Sequence, residues 1–466
     1  MSESLSQKAK PLVTAEVVRL GEAIAIPVAM SIGQAITQLQ EVAKYEESET
    51  SLQRTFNVMP MDGAYGLMKV IEQKYGWVSS IPTPGFFGSK PPQMLSTASG
   101  VGETVSVLWG RIRLPDVDGF MQTDASFEDG RWVFKLHANI LRKHQATVDD
   151  IFNRLENYLK TNSLYAGKAI KIRFRNSQGN PIEDLKPEFM DLSKVSRDML
   201  IYSEEVQNSI NVELFTPIER LADCKANGIE AKRGVLLGGP YGTGKTLAAT
   251  VAAKLAQDNG ITYLYVPHCS ELADAIQFAK QYSRTACVIF CEDIDRAVTG
   301  ERSVQMDDIL NILDGIDTKG TNIITVLTTN HLEDINPAML RPGRIDSVIN
   351  VTAPDAVAVQ KLVRFYGKDT IDPNADLSKV GEALAGVTPA IVAETVKRAK
   401  LAQLSLQPKG TMVTMITAEA LLASVHSMAY QIEVLKKLSE KEKPEKVSLE
   451  DMLSTALVTA LEKYYE

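Results

Sequence analysis

From residue 234 onward, short runs of apolar and β-branched residues recur at 235–238, 262–266, 287–291, 322–328 and 347–351, separated by stretches with helical spacing. Runs of this kind are buried on both faces, and their alternation with helices predicts a parallel sheet covered by helices on either side. Residues 196–352 are therefore expected to form one α/β domain. Beyond Pro354 the spacing turns helical, with helices predicted over 356–367, 377–384 and 389–404, so 353–430 reads as a small all-α domain. Helical spacing continues at 417–438 and 449–465, on either side of a charged linker at 441–446. Residues 431–466 are thus a C-terminal helical extension, whose last helix starts capping-box-like at Ser448 and Asp451.

The first 195 residues lack that alternation. A helix is predicted at 63–75, strands at 104–114 and 132–141, a helix at 148–161 and a strand at 168–175, with Glu128-Asp129-Gly130 as the turn of a hairpin between the first two strands. This is a separate α+β domain, in which the Pro- and Gly-rich segment 81–96 reads as an exposed loop. Its last strand puts Lys171, Arg173 and Arg175 on one face and Ile170, Ile172 and Phe174 on the other, with Arg111 and Arg113 on another strand. A solvated sheet face is the expected reading, and an anion or nucleic-acid surface the competing one. The apolar run 23–36 contains Pro27, Ser31 and Gly33 and falls short of the ~20 residues that span a bilayer. It predicts a buried or interface helix, and the polar first ten residues lack a secretory pattern, so no membrane partner is expected.

Chemistry enters after the first strand of the α/β domain. Gly239-Pro240-Tyr241-Gly242-Thr243-Gly244-Lys245-Thr246 has the spacing G-x-x-x-x-G-K-[ST] between an apolar run and an Ala-rich helix that continues from Leu247. Glycines let the backbone wrap a phosphate, while successive N–H groups and the helix N-terminus point at the anion. Lys245 neutralises β/γ charge and the Thr246 hydroxyl can ligate Mg²⁺. Residues Gly239 to Thr246, with Leu247 behind them, are the predicted nucleoside triphosphate contacts.

The run 287–291 ends in Glu292-Asp293-Ile294-Asp295, which places two adjacent carboxylates at the C-terminal edge of a parallel strand, where open α/β sheets bind ligands. One acid can complete the Mg²⁺ shell while the next polarises an attacking water. If Asp293 served the metal, Ile294 would occupy the catalytic place, which is chemically empty. Glu292 is therefore assigned to magnesium, Asp293 to water, and Asp295 to structure. After the fourth strand, Asn330 offers an amide for the γ-phosphate or the water. Arg341-Pro342-Gly343-Arg344 then sets two guanidinium groups on a turn, as a surface ion pair or as stabilisers of a transferring phosphoryl group.

The formal charge of −8, with 44% hydrophobic residues, argues against a chain that coats nucleic acid and favours protein partners. Cys224, Cys269, Cys287 and Cys291 have no zinc-ligand spacing, so a reducing, cytoplasmic setting is expected, with Cys287 and Cys291 as small buried side chains.

Taken together, the runs Gly228-Ile229, Lys232-Arg233-Gly234-Val235-Leu236-Leu237 to Thr246, and Thr329-Asn330-His331 through Asn336-Pro337-Ala338-Met339-Leu340-Arg341-Pro342-Gly343-Arg344-Ile345-Asp346, resemble the AAA family of ring-forming ATPases over residues 200–400. The reversed pair Glu292-Asp293, Leu310-Asn311-Ile312-Leu313-Asp314-Gly315 and the Thr-Thr-Asn-His run at 328–331 look most like the mitochondrial Rieske-protein translocase branch. The resemblance implies an AAA+ module with a small α-helical lid and ATP with Mg²⁺ as cofactors. It also implies a hexameric or heptameric homo-oligomeric ring, Asn330 as sensor 1, and Arg341 and Arg344 as fingers reaching a neighbour's γ-phosphate. Gly386 to Ala390 would lie near the adenine.

Two departures bear on mechanism. No aromatic-hydrophobic-glycine pore loop fits within 267–286, where Phe278 and Tyr282, four apart on a predicted helix from 272 to 283, read as packing; the polar loop 296–305 could face a pore instead. No H-E-x-x-H occurs, and the start of the lid helix has no arginine. The reading favoured is a ring ATPase that remodels, disassembles or translocates a protein client chosen by the N-terminal domain. A nucleic-acid-linked loader and a slowly turning nucleotide-gated scaffold are the alternatives.

Overall fold

The computed structural model describes residues 18–20, 23–26, 30–85, 88–182, 185–282, 286–294, 322–337, 339–341, 343–413, 415–430 and 433. A short hairpin, β1 (Val18–Leu20) against β2 (Ala23–Ala25), precedes helix α1 (Ile32–Glu46). The helix predicted over 23–36 is thereby corrected. Residues 23–25 pair as a strand, and a capping box starts the helix at Ile32, with Gln34 N–H donating to Ser31 Oγ and Ser31 N–H to Gln34 Oε1.

Then come β3 (Glu49–Phe56), α2 (Pro60–Tyr75), β4 (Ser79–Ile81), β5 (Thr83–Gly85), β6 (Gly88–Lys90), β7 (Gln93–Gly100), β8 (Glu103–Trp109), β9 (Arg111–Arg113), β10 (Gly119–Glu128), β11 (Arg131–Leu141) and α3 (Gln145–Thr161). Strands β3-β11-β10-β9-β4 form an antiparallel sheet in that order. Phe134, Leu136, Ala138 and Ile140 alternate along β11 and share a core with Leu67, Val70 and Ile71 of α2 and Ile151, Phe152 and Leu155 of α3. Close approach of α2 to the sheet depends on Gly63, where an added Cβ would stand 2.2 Å from Phe134 Cγ.

Three sequence expectations change here. The hairpin turn is real, with Asp129 and Gly130 at φ 49° and 78°, the type I′ geometry, but it joins β11 to β10, a strand whose mixed polarity hid it. The strand expected at 104–114 breaks at Gly110, φ 115°, into β8, paired with β7, and β9, in the main sheet. Segment 81–96 holds the hairpin β5–β6 and the start of β7.

The large sheet starts earlier than the expected boundary at 195. β12 (Ala169–Lys171) runs parallel to β15, which spans Thr262–Val266, and β13 (Glu188–Phe189) caps that edge antiparallel. The strand predicted over 168–175 therefore belongs to the α/β unit, because its apolar face, Ile170, Ile172 and Phe174, completes that unit's core. Next come α4 (Glu204–Ile210), a π-helical turn (Asn211–Phe215), α5 (Thr216–Glu219), α6 (Leu221–Ala226), β14 (Arg233–Gly238), α7 (Lys245–Asp258), β15, α8 (Leu272–Tyr282), β16 (Cys287–Cys291), β17 (Ile323–Thr329) and β18 (Ser347–Asn350). The sheet order is β13-β12-β15-β16-β17-β14-β18, parallel apart from β13. Each face has its own core, Leu236, Leu264 and Ile289 on one side and Val235, Leu237, Val288 and Val326 on the other, as runs without alternation require.

Helices α9 (Ala356–Gly367), α10 (Ser378–Leu384), α11 (Pro389–Ser405) and α12 (Ala418–Ser427) form the small helical unit around Val359, Leu362, Val380 and Val392. The N-terminal unit is tied to α8. Met59 N–H donates to Tyr282 Oη at 2.7 Å, and buried Asp62 accepts from Ser163 Oγ at 2.6 Å and Leu164 N–H at 2.7 Å. Phe278 and Tyr282 are buried, their rings 4.7 Å apart, as packing residues. The extension 431–466 apart from Glu433, the run 310–315, the loop 296–305, Asp295, Ala338 and Pro342 lie outside the described residues.

Candidate active site

The phosphate loop lies between the C-terminal end of β14 and the first turn of α7. Gly242 and Gly244 take φ of 76° and 98°, which an L side chain adopts only with strain, and at Gly239, φ 142°, a Cβ would meet Val351 O at 2.3 Å. The loop therefore needs glycine at these three places. Lys245 opens α7 and is buried; its Nζ donates to Gly239 O at 2.5 Å, Pro240 O at 2.9 Å and Asn330 Oδ1 at 2.8 Å. Thr243 is buried and donates to Pro240 O, whereas Tyr241 is exposed beside His331. Leu247 packs against the core beneath α7. The N-terminal N–H groups of this 14-residue helix supply an anion site.

The acid pair follows directly on β16, next to the loop. Glu292 Oε1 accepts from Thr246 Oγ1 at 2.8 Å, and its Oε2 accepts from Tyr265 Oη at 2.7 Å. Asp293 has a left-handed backbone, φ 49°, held by its N–H donating to Thr328 Oγ1 at 3.1 Å. Its carboxylate accepts from Asn330 Nδ2 at 3.0 Å. Asn330 thus bridges Lys245 and Asp293, and the predicted residues of β14, β16 and β17 converge at one sheet edge because parallel neighbours align their C-terminal ends. The hard oxygens of Thr246 and Glu292, already 2.8 Å apart, are a donor set that suits Mg²⁺.

Arg341 and Arg344 are elsewhere. Their turn is fixed by Asp346, which accepts from Gly343 N–H at 2.9 Å and Gly234 N–H at 2.8 Å. Gly234 is the second residue of β14, and a Cβ there would stand 2.0 Å from Arg344 O. The arginine turn therefore abuts the strand end opposite the phosphate loop, about 16 Å along β14 at ~3.3 Å per residue. Within one chain the arginines and the loop are not brought together.

The helical unit reaches the loop through Thr388, 3.6 Å from where a Cβ of Gly242 would be, next to Gly386 at φ 78°. Two tyrosines were missed from the sequence. Tyr202, buried, donates to Gly244 O at 2.8 Å, while its neighbour Ile201 packs on the helical unit. Tyr265 is kept protonated, its phenol pushed well above the ordinary tyrosine value by burial first and the Glu292 carboxylate second. The signal for it was its place near the end of a parallel strand, in register with Phe290, two residues before Glu292. Cys287 and Cys291 are buried thiols, as expected, and Cys291 is raised well above its usual value by a hydrogen bond with Cys269 and then by burial.

Three of the five basic residues are engaged, whereas Arg113 and Arg173 are exposed. Arg175 pairs with Asp274 at 2.8 Å, Lys171 lies over the Tyr265 ring, and Arg111 lies over Phe120 and donates to Gln122. Among the described residues no helix is long and apolar enough to cross a membrane.

A glycine loop at a sheet's switch edge, with lysine, hydroxyl, paired acids and an amide around it, defines a P-loop nucleoside triphosphatase site. Residues 235–353 match the family described as ATPase family associated with various cellular activities (AAA), and the match is confined to that stretch. It is 33% identical over 224 residues to the ATP-dependent zinc metalloprotease FtsH of Rhodococcus erythropolis, covering 43% of this chain and 25% of that protein. It is 33% identical over 181 residues to the 26S proteasome regulatory subunit 7 homolog of Saccharomyces cerevisiae, 35% of this chain and 38% of that protein. Over 278 residues it is 27% identical to the yeast ATPase family gene 2 protein, 54% of this chain and 35% of that protein. The matched part thus spans between a quarter and two fifths of these relatives' length.

Proposed function

We propose that this chain hydrolyses ATP as a homo-oligomeric ring and uses the cycle to remodel, disassemble or translocate a protein client engaged by its N-terminal unit. The observation that carries this reading is the arginine turn, which sits at the opposite end of β14 from the chain's own phosphate loop, so that Arg341 and Arg344 serve a neighbour's site. Similarity to an ATP-dependent metalloprotease and to a proteasome regulatory subunit supports a protein client.

Lys245 exchanges its contacts with Gly239 O and Pro240 O for phosphate oxygens, and Thr246 with Glu292 would hold Mg²⁺. When bound, Mg²⁺ supplies charge neutralisation and polarises the phosphates. Asp293 takes the proton of the attacking water, and Asn330, donating to Asp293 while accepting from Lys245, keeps base and cation in register. The engagement of Lys171 and Arg175 and the −8 charge weigh against a nucleic-acid loader. The test is ATPase rate against protein concentration, on samples sized by light scattering with ATP, ADP and no nucleotide. A specific rate that climbs as an ATP-dependent ring forms is expected, and concentration-independent turnover by a monomer would refute the ring.

A further inference from the structure

We propose that Tyr265 is the positioning residue for the metal-side carboxylate, required because that acid is Glu292 and not the shorter aspartate. The inference rests on the reading of Thr246 and Glu292 as the Mg²⁺ oxygens. Glutamate has one more rotatable bond than aspartate, so its carboxylate can swing unless both oxygens are held. Here Oε1 meets Thr246 Oγ1 at 2.8 Å and Oε2 meets Tyr265 Oη at 2.7 Å, which fixes the carboxylate plane.

Thr246 is itself a ligand, so the orienting contact that does not compete for the metal is the phenol. Tyr265 is in turn held rigidly. Its ring stacks on Phe290 with centroids 5.4 Å apart and planes 23° apart, and Lys171 Nζ lies 5.4 Å from the ring centroid on the strand beyond. The sheet therefore carries the phenol oxygen to a fixed point beside Glu292, as groups behind metal ligands commonly do. The chain of contacts also begins on β12, the strand that leads in from the N-terminal unit, and ends on the metal-side acid.

The test is Tyr265→Phe in the full chain, which removes one oxygen and leaves the ring stack. Binding of a fluorescent ATP analogue is measured with EDTA and across a Mg²⁺ titration, alongside the melting temperature. Expected is a rise of about tenfold or more in the Mg²⁺ concentration that half-saturates the tightening of nucleotide binding, with unchanged affinity in EDTA and unchanged melting. In a Glu292→Asp background, whose carboxylate is drawn back from the phenol, the same substitution should add no more than about twofold. Wild-type Mg²⁺ dependence in Tyr265→Phe, an equal loss in EDTA, or a full tenfold effect in the Glu292→Asp background would each overturn the proposal. Failure of the unmodified chain to bind the analogue at all would overturn the reading of the site itself, a different result from any of these.

Discussion

Replacing Asn330 with alanine separates orientation of the base from binding of the nucleotide. Its amide donates to Asp293 Oδ1 at 3.0 Å, a bond to an ionised acceptor, and such bonds are worth ~1.5–3 kcal/mol. If the bond is used fully in the transition state, its loss lowers kcat roughly 10- to 150-fold at ~1.36 kcal/mol per decade. Its other contact, Oδ1 to Lys245 Nζ at 2.8 Å, is one of several, because Lys245 donates to Gly239 O and Pro240 O in the free chain and, on the proposed reading, to phosphate oxygens once nucleotide is bound. Affinity should therefore fall only by about fivefold, the equivalent of ~1 kcal/mol. Steady-state turnover gives the first number, and equilibrium binding of a fluorescent ATP analogue gives the second. Asn330→Asp keeps an acceptor for Lys245 but offers Asp293 no donor, so it should reproduce the kcat loss with a smaller effect on affinity. A kcat within about twofold of wild type in Asn330→Ala would refute the assignment of Asp293, as oriented by Asn330, to the attacking water.

Lys245→Ala should abolish binding of the analogue, since on the proposed reading the buried ammonium at the start of α7 is the charge that meets the phosphates; retained binding would contradict the loop assignment. Arg344→Ala should bind nucleotide yet not hydrolyse it, and mixing it with Lys245→Ala should recover activity, because each intact half-site then meets the other across a subunit boundary. No recovery above the sum of the separate proteins would argue against action in trans. Gly63→Ala forces a Cβ to within 2.2 Å of Phe134 Cγ and should lower stability by ~1–3 kcal/mol, read as a drop in the first thermal transition. An unchanged melt would show that α2 can lift from the sheet at no cost.

What was legible in the sequence was what neighbouring residues encode among themselves. The phosphate loop is contiguous, its glycines are demanded by local backbone angles, and the acids follow directly on an apolar strand, so residues 239–247, 292 and 293 could be named before any fold was known. Runs without alternation announced the parallel sheet, and the helical spacing after Pro354 announced helices over 356–367, 377–384 and 389–404. The polar alternation of β10 was weaker than that of its neighbours and escaped notice, although its turn at Asp129-Gly130 did not.

Only the tertiary structure decided which strands lie side by side. A three-residue strand such as β12 has no local mark of its partner, and it joined the large sheet because its apolar face completes a core assembled from residues some 100 positions away. Pairing of that kind brought Tyr265 to Glu292 and Asn330 to both Lys245 and Asp293. It also set the arginine turn against the far end of β14, where Asp346 ties it to Gly234. Local periodicity specifies an element and its buried face, but the choice among partners is made by the burial and hydrogen bonding of the whole sheet. For that reason the candidate residues of this chain were readable one by one, and which of them share a sheet edge was readable only from the fold.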